Sequence, residues 1–326
     1  MNYTKPLVDL GQGSSDPRLE GILSPHCDPG EVKKYMSDHY GSEAGVRSQT
    51  FDMTGAYKAH LLEAAERAAW TSRLREVRHA LDICCGFGSA TIPLLELCPQ
   101  AEVVATDFSI HMLVALKDRL KGRADGERCR FMQLNAEQLD FEDGAFDLVV
   151  GAAALHHLFH PERVIEQSFR LLGPGGLAVF FEPFEVGMNI VSLIYQSFQR
   201  HWRFRFLDPK VKAYVSGCVG AWRSMSTKPK SDPFFAGVDD KWVFARSFIE
   251  DHARRSGFER VLVYSLTKSE RPFEEMVANH FSGNGMPAPA PWMMEIADAF
   301  EKTFSADAKR DLMTEGAIVL MKFDAS

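Results

Sequence analysis

The stretch "ALDICCGFGSATIPLLE", residues 80–96, combines an apolar run, two glycines two positions apart and a helical pattern. This order predicts a strand, a glycine turn and a helix. Glycines let the backbone approach a ligand closely, and the first turn of a helix offers unpaired N–H groups. The stretch therefore predicts either a ligand-binding turn or glycines that serve close packing only.

Strand-like and helix-like runs alternate along most of the chain. This alternation predicts an α/β fold with a mostly parallel sheet and helices on both faces. Seven strands are predicted, at about 79–85, 101–107, 130–136, 146–154, 176–183, 260–266 and 316–323. Helices are predicted at about 29–41, 57–77, 89–97, 110–121, 162–172 and 246–256.

The predicted elements divide the chain into four parts. Residues 1–56 form an N-terminal extension or lid, 57–183 the core, and 184–243 an aromatic-rich insertion. Residues 244–326 complete the core and contain a second insertion at about 268–313. Connections of this length usually have a function of their own. We expect the two insertions to be helical lids that enclose a substrate chamber, or alternatively to form a dimer interface from the same aromatic residues.

The composition is that of a soluble globular protein and narrows the possible partners. The 326 residues carry a net charge of −7, which argues against a broad nucleic-acid-binding face. The start of the chain lacks the pattern of a signal peptide, and no apolar run is long enough to span a bilayer. These features predict a cytoplasmic protein, monomer or homodimer, with no membrane or nucleic-acid partner. The six scattered cysteines predict reduced thiols.

Polar residues follow three of the predicted strands, where a parallel sheet binds its ligand. Asp82 lies inside the first strand and Asp107 ends the second, where a carboxylate can accept both hydroxyls of a ribose. Asn135 follows the third strand, where an amide can meet a base edge. Thr91 stands where a dinucleotide fingerprint would have its third glycine, which disfavours a nicotinamide dehydrogenase.

Five motifs, in this order, resemble class I S-adenosylmethionine-dependent methyltransferases. The motifs are "LDICCGFGSAT", "VVATDFSIHML", "LNAEQLDFEDGAFDLVV", "LHHLFHPERVIEQSFRLLGPGG" and "VFFEP". The resemblance covers about residues 57–182, and the last two strands fit it more loosely. It implies a seven-stranded Rossmann-like sheet, S-adenosylmethionine as cofactor and a small-molecule substrate, as in secondary metabolism. Asn135 departs from the family pattern, in which many members carry Asp.

The resemblance also implies roles for individual residues. Asp82, Cys85, Gly86 and Gly88 correspond to residues around the methionine moiety of the cofactor. Asp107 corresponds to the ribose ligand. The remaining cofactor residues are Phe108 beside adenine, Asn135 and Ala136 at its edge, and Gly151 and Ala152 near the sulfonium. Taken one at a time, each glycine has a packing alternative and Asp107 has a helix-capping alternative.

Catalytic groups are expected at the ends of the fourth and fifth strands. We predict His157 and Glu182 as catalytic residues, with a structural histidine and a solvated turn carboxylate as the alternatives. His156, Tyr195 and Trp202 are predicted to bind substrate. His156 and His160 are four residues apart, but no zinc motif surrounds them, and no metal is predicted.

The predicted reaction is methyl transfer to a small molecule, at oxygen or nitrogen rather than carbon. One alternative keeps the cofactor but predicts a lyase or cyclase that releases methylthioadenosine. Another is a non-catalytic cofactor-binding module whose aromatic insertion recruits a protein. A short basic and aromatic segment at residues 200–212 is expected to be a solvated helix face or a handle for a substrate anion.

Overall fold

The computed structural model describes residues 2–12, 14–25, 42 and 52–323. The helix predicted at 29–41, together with Cys27, lies outside the described residues. The five cysteines within the described residues are all free thiols, in line with the prediction of reduced cysteines.

One mixed sheet of nine strands organises the molecule. Its strands are β1 (Val8–Asp9), β2 (Ile22–Ser24), β3 (His79–Ile83), β4 (Glu102–Asp107), β5 (Cys129–Gln133), β6 (Phe146–Ala152), β7 (Leu172–Pro183), β8 (Arg260–Ser265) and β9 (Glu315–Met321). The spatial order is β1-β2-β5-β4-β3-β6-β7-β9-β8. Strands β2 to β7 pair in parallel, and β9 runs antiparallel to both β7 and β8.

The α/β fold with a predominantly parallel sheet, predicted from the alternating pattern, is confirmed. All seven predicted strands are present, and two short N-terminal strands extend the sheet beyond β5. Strands β3 and β6 lie side by side, so the strand order reverses between them. A reversal of this kind opens a crevice at the carboxyl ends of the strands.

Ten α-helices are described. They are α1 (Thr54–Arg67), α2 (Thr91–Leu97), α3 (Ile110–Leu120), α4 (Pro161–Leu171), α5 (Glu185–Arg200), α6 (Pro209–Thr227), α7 (Arg246–Ser256), α8 (Pro272–Gly283), α9 (Pro291–Glu301) and α10 (Ala306–Asp311). The helix predicted at 57–77 instead ends at Arg67, where Ala69 adopts a left-handed conformation with φ of 56°. None of the helices in the described ranges is long and apolar enough to cross a bilayer.

The aromatic-rich insertion is helical, as predicted. Residues 185–200 and 209–227 form α5 and α6. In α5, Val191, Ile194, Tyr195 and Phe198 recur at the spacing of one helix face, and all four are buried. Further aromatic residues lie between these positions, so the sequence alone does not give the bounds of the helix.

Apolar side chains form three clusters. One cluster covers each face of the sheet. The third lies among the insertion helices α5, α6, α8 and α9 and includes Tyr195, Phe198 and Trp222. The two insertions therefore share one core.

Candidate active site

A cavity of about 260 Å³ lies at the carboxyl ends of the central strands. We call it the cofactor cavity. Residues from the ends of β3, β4, β5 and β6 line it, which places it at the point where the strand order reverses. The predicted residues among its lining are Cys85, Gly86, Asp107, Phe108, Asn135, Ala136, Ala152 and His157.

The glycine turn after β3 is shaped by unusual backbone conformations. Gly86 has φ of +53°, and a Cβ added there would meet no atom within 4 Å, so the turn leaves open space toward the cavity. Cys84 and Ala153 also adopt left-handed conformations, each with φ of 54°, at the ends of β3 and β6. Such strain in residues other than glycine is typical of binding sites.

The thiols of this turn are not poised as nucleophiles. Desolvation, reinforced by the nearby carboxylate of Asp107, raises the pKa of both Cys84 and Cys85 well above its ordinary value. Both thiols are therefore protonated at neutral pH. Cys85 contributes shape to the cavity rather than reactivity.

Asp107 is held in place by two backbone N–H groups. Gly86 N donates to its Oδ2 at 2.9 Å, and Ser109 N donates to its Oδ1 at 2.8 Å. Burial raises the pKa of Asp107 to about 6, although both backbone bonds act in the opposite direction. Each carboxylate oxygen keeps capacity to accept another hydrogen bond from a ligand hydroxyl.

Asp82 lies just beneath the turn and is fully buried. Its Oδ2 accepts a hydrogen bond from the Thr91 hydroxyl at 2.5 Å, while its Oδ1 has no hydrogen-bond partner within the described residues. Burial raises the pKa of Asp82 to about 7. Thr91, the residue in place of a third glycine, is thus the partner of Asp82.

Two of the glycines predicted at the cofactor, Gly88 and Gly151, are tightly packed. A Cβ on Gly88 would lie 2.2 Å from Leu116 Cδ1, and one on Gly151 would lie 2.7 Å from the Phe180 ring. Neither glycine lines the cofactor cavity. Their place in the motif reflects close contact between the central strands and the neighbouring elements.

A second cavity, of about 320 Å³, adjoins the first. We call it the acceptor cavity. Met53, Tyr57 and Ala153 line both cavities and therefore form the boundary between them. The walls of the acceptor cavity come from α1, the ends of β6 and β7, and both insertions. Its insertion residues are Met188, Trp222, Met225, Asp240, Trp242, Val243, Met276 and His280.

Glu182, at the end of β7, organises the boundary between the cavities. Its side chain is buried, with the residue only 2% exposed. Oε1 accepts hydrogen bonds from the N–H groups of Ala154 and Leu155, at 2.9 and 2.7 Å. Oε2 accepts from the N–H of His156 at 3.2 Å and lies 2.7 Å from its Nδ1. The alternative of a solvated turn carboxylate is wrong.

His156 lines the acceptor cavity, and its ring is oriented by Glu182. Because a carboxylate only accepts hydrogen bonds, Nδ1 carries the proton and Nε2 remains as the basic atom. Burial lowers the pKa of His156, but the Glu182 carboxylate and its hydrogen bond outweigh this effect and raise it above its ordinary value.

His157 points to the other side of the boundary. It lines the cofactor cavity, and its Nδ1 lies 3.2 Å from the carbonyl oxygen of Asp239. Burial, together with the neighbouring charge of His156, lowers the pKa of His157 to about 4. The imidazole is therefore neutral at pH 7. The structure places His156, rather than the predicted His157, in the acceptor cavity.

One group of donor atoms in the described residues is close enough to consider as a metal site. Donor atoms of His156, His157 and Asp240 lie within 4.8 Å of one another. The Asp240 side chain is 62% exposed, and its Oδ1 lies 3.5 Å from both imidazoles. Glu182 favours the charged form of His156, and a charged histidine attracts the carboxylate of Asp240. This attraction accounts for the grouping, and we assign no metal to it.

Two residues predicted to bind substrate lie elsewhere. Tyr195 is fully buried in the third cluster, against Phe198 and Trp222. Trp202 is 58% exposed on the outer surface. Neither lines the acceptor cavity. Sequence reasoning missed Trp222 and Trp242, which do line it; both were part of the aromatic pattern, but nothing in that pattern separates cavity walls from core.

Comparison with known proteins identifies relatives of this chain. Residues 80–176 match the family model described as a methyltransferase domain. The chain is 31% identical, over 156 residues, to a demethylmenaquinone methyltransferase of Thermus thermophilus, covering 48% of this chain and 68% of that protein. It is 26% identical to a ubiquinone/menaquinone biosynthesis C-methyltransferase of Brucella canis, covering 63% of this chain and 68% of that protein.

A solved structure shares the fold. The phosphoethanolamine N-methyltransferase 2 of Haemonchus contortus, in complex with phosphomonomethylethanolamine and S-adenosylhomocysteine, superimposes with a TM-score of 0.52 at 15% identity. The match covers 90% of this chain and 61% of that one.

The fold, the glycine turn and these relatives define an S-adenosylmethionine-dependent methyltransferase. The chain belongs to the class I family of these enzymes, and S-adenosylmethionine is its cofactor. The described residues fit this cofactor. Gly86 leaves open space in the turn, Asp107 offers a carboxylate to hydroxyls, and the unpartnered Oδ1 of Asp82 lies buried beside them.

Proposed function

We propose that the enzyme methylates a small hydroxylated aromatic molecule bound in the acceptor cavity. The observation that carries this proposal is the His156–Glu182 pair. It presents one basic imidazole nitrogen at a cavity that meets the cofactor cavity at Ala153. A base in this position is useful only for an acceptor that loses a proton during methyl transfer.

The cavity lining supports an aromatic acceptor. Trp222, Trp242 and four methionines provide flat and adaptable apolar walls, on which an aromatic ring packs well. Polar groups converge from His156, Asp240 and His280. A few polar groups in a mainly apolar cavity of about 320 Å³ are typical of a site for a small molecule.

The cofactor supplies an electrophilic methyl group on a sulfonium. Within the cofactor cavity, we propose that Asp107 accepts hydrogen bonds from the ribose and that Phe108, Asn135 and Ala136 contact the adenine. Asp82 lies buried beneath the glycine turn with one unpartnered oxygen, and we propose that the charge of its ionised form attracts the ammonium group from below the turn. These contacts orient the donor, which is the main requirement of a direct displacement.

The proposed proton acceptor is Nε2 of His156. Glu182 acts as a positioning residue, because its two oxygens receive three N–H groups of the 154–156 turn and the ring Nδ1–H. The raised pKa of His156 brings it close to the pH at which a general base works best. His157 is proposed to contact the cofactor, since it lines that cavity.

The position of methylation is the finer part of the proposal. Proton removal from a phenol makes both its oxygen and the adjacent ring carbons nucleophilic. The sequence predicts oxygen or nitrogen, whereas the Brucella relative is named a C-methyltransferase of ubiquinone/menaquinone biosynthesis. The same base serves oxygen and carbon, and we propose a hydroxylated ring as the feature common to both outcomes. The cytoplasmic location and the monomer or homodimer state stay predictions.

The presence of the acceptor cavity also favours methyl transfer over lyase or cyclase chemistry. A lyase acting on the cofactor alone needs no second chamber. Here the cofactor cavity opens, at Met53, Tyr57 and Ala153, onto a separate chamber of similar size. An added molecule can therefore meet the methyl group at this boundary.

Incubation with S-adenosylmethionine and a panel of small phenols and hydroxylated quinols, followed by mass spectrometry, tests the proposal. We expect S-adenosylhomocysteine and a product heavier by one methylene, and NMR of the product assigns the methylated atom. Matched panels of amines and carboxylic acids serve as controls. Turnover restricted to those controls, or release of methylthioadenosine, would contradict the proposal.

A further inference from the structure

The segment 200–212 joins α5 to α6 at the outer end of the first insertion. It contains five basic residues and one acidic residue, in a chain whose net charge is −7. Residues 202–206 form a short 3-10 helix with the sequence "WRFRF". We call residues 200–212 the basic aromatic segment. It plays no part in either cavity.

Two large rings of this segment face solvent. Trp202 is 58% exposed and Phe206 is 71% exposed. Their ring centroids lie 6.1 Å apart in an edge-to-face arrangement, so they form one surface patch. Exposing neighbouring aromatic rings forgoes hydrophobic stabilisation, and patches of this kind commonly mark an interaction site.

The remainder of the segment is firmly anchored. His201 stacks on Trp292 of α9, with centroids 4.5 Å apart and an angle of 15° between the rings. Phe204 and Leu207 pack against the third cluster. Asp208 accepts a hydrogen bond from Lys210 N at 2.7 Å, which caps the start of α6. The two exposed rings are therefore presented by an ordered turn.

The exposed rings are surrounded by positive charge. The guanidinium of Arg203 lies 5.2 Å from the centre of the Trp202 ring, and that of Arg205 lies 4.9 Å from that of Phe206. Within the described ranges, none of the segment's basic side chains forms an ion pair with a carboxylate. These side chains are Arg200, Arg203, Arg205, Lys210 and Lys212.

We propose that the basic aromatic segment docks on the surface of an anionic phospholipid bilayer. Tryptophan and phenylalanine insert at the level of the headgroups, where an aromatic ring leaves water while arginine and lysine remain with the phosphates. Each basic residue near an anionic leaflet adds to the attraction. The predicted absence of a membrane partner rested on the lack of a spanning run, and surface docking requires none.

A lipid surface fits this patch better than a nucleic acid or a protein. Single-stranded nucleic acid requires a groove of several stacking rings, whereas only two rings of the segment are exposed. A protein partner requires defined pockets and paired polar groups. A bilayer surface is negatively charged at its headgroups and apolar just below them. Two protruding rings surrounded by cations without ion-pair partners match such a surface.

Helix α5 connects the docked face to the acceptor cavity. Helix α5 ends at Arg200 and carries Met188 near its other end, where Met188 lines the acceptor cavity. Trp292, on which His201 stacks, packs against Phe198 of α5. The proposal concerns binding to the bilayer and holds whatever the acceptor is.

Vesicle flotation of the whole protein, without cofactor or acceptor, tests the proposal. We expect binding to vesicles of phosphatidylcholine mixed with phosphatidylglycerol, weak binding to phosphatidylcholine alone, and loss of binding at high salt. The variants Trp202→Ser/Phe206→Ser and Arg203→Gln/Arg205→Gln should each bind at least ten-fold more weakly. Matched controls are Phe323→Ser, another exposed ring, and Arg75→Gln/Arg78→Gln, another exposed basic pair.

Circular dichroism and the thermal unfolding midpoint establish that each variant is folded. Equal binding to neutral and anionic vesicles, or equal losses in the control variants, would overturn the proposal. So would a gel shift of single-stranded RNA that depends on Arg203 and Arg205 without any vesicle binding, because the segment would then serve a nucleic acid.

Discussion

His156 Nδ1 lies 2.7 Å from Glu182 Oε2, and this contact joins the end of β7 to the turn after β6. The same carboxylate receives the N–H groups of Ala154, Leu155 and His156. One buried side chain therefore fixes both the backbone of the turn and the tautomer of the ring. Since β6 and β7 are neighbours in the sheet, this link holds His156 in the wall of the acceptor cavity.

Replacing Glu182 by Gln should impair methyl transfer far more than cofactor binding. The amide keeps the volume but loses the charge, and it offers a donor where four N–H groups require acceptors. We expect kcat to fall about 100-fold, while the Kd for S-adenosylmethionine changes less than about three-fold. Steady-state kinetics and calorimetry measure the two quantities.

A matched control for this variant exists close by. Glu162 accepts a hydrogen bond from His160 Nδ1 at 3.1 Å, but this pair is exposed. Glu162→Gln should leave kcat within about two-fold of the wild type, because an exposed pair contributes little. Equal losses in Glu162→Gln and Glu182→Gln would mean that the Glu182 effect is not specific to the site.

The two adjacent histidines should have separable roles. His156→Asn removes the proposed base and should lower kcat with the cofactor Kd unchanged, whereas His157→Asn should weaken cofactor binding with a smaller effect on kcat. Kinetics at saturating cofactor distinguish these effects. A loss of kcat confined to His157→Asn would return the catalytic role to the residue predicted from sequence.

The pH profile gives an independent test of the base. His156 acts in its neutral form, so kcat/KM should fall as the pH falls through its pKa, which lies above the ordinary value for histidine. In Glu182→Gln the charge that raises this pKa is gone, and the falling limb should move to lower pH. A limb that does not move would show that another group controls the rate.

Asp107 should control cofactor affinity in a pH-dependent way. Asp107→Ala removes the proposed acceptor of the ribose hydroxyls and should weaken S-adenosylmethionine binding about ten-fold or more. In the wild type, affinity should fall below about pH 6, because burial raises the pKa of Asp107 to about 6 and its protonated form loses the charge that the hydroxyls bind.

Titration calorimetry between pH 5 and 8 measures this effect. Asp118→Ala, an exposed carboxylate on α3, is the control and should leave the affinity and its pH dependence unchanged. An unchanged affinity in Asp107→Ala would place the ribose elsewhere.

The cofactor could be predicted from the sequence because the residues that indicate its site lie close to the strands along the chain. Each strand end carries its polar residue within a few positions of an apolar run, as with Asp107 at the end of β4 and Asn135 after β5. The acceptor half depends on contacts between distant segments. Asp240 and His280 reach one cavity from separate insertions, and no spacing along the chain indicates that meeting.

His156 and His157 show the same limit of sequence-based prediction within a single motif. Adjacent residues on a turn point in different directions, and which of them faces the acceptor depends on the backbone after β6. That backbone includes Ala153 in a left-handed conformation and N–H groups bound by Glu182, 28 residues from Ala154 along the chain. The motif of two adjacent histidines indicates neither the left-handed conformation of Ala153 nor the hydrogen bonds to Glu182.

The two glycines of the turn should differ sharply when each is replaced by alanine. Gly88→Ala places a Cβ within 2.2 Å of Leu116 Cδ1 at φ of +95°, and we expect it to lower the free energy of unfolding by about 1–3 kcal/mol. Gly86→Ala meets no atom within 4 Å, so its stability cost should be limited to the left-handed backbone, about 1 kcal/mol.

However, the methyl group of Gly86→Ala would enter space that belongs to the cofactor cavity, and the affinity for S-adenosylmethionine should fall about ten-fold or more. Chemical denaturation and calorimetry on both variants test this pair, and a Gly86→Ala variant with unchanged affinity would show that the cofactor does not approach this turn.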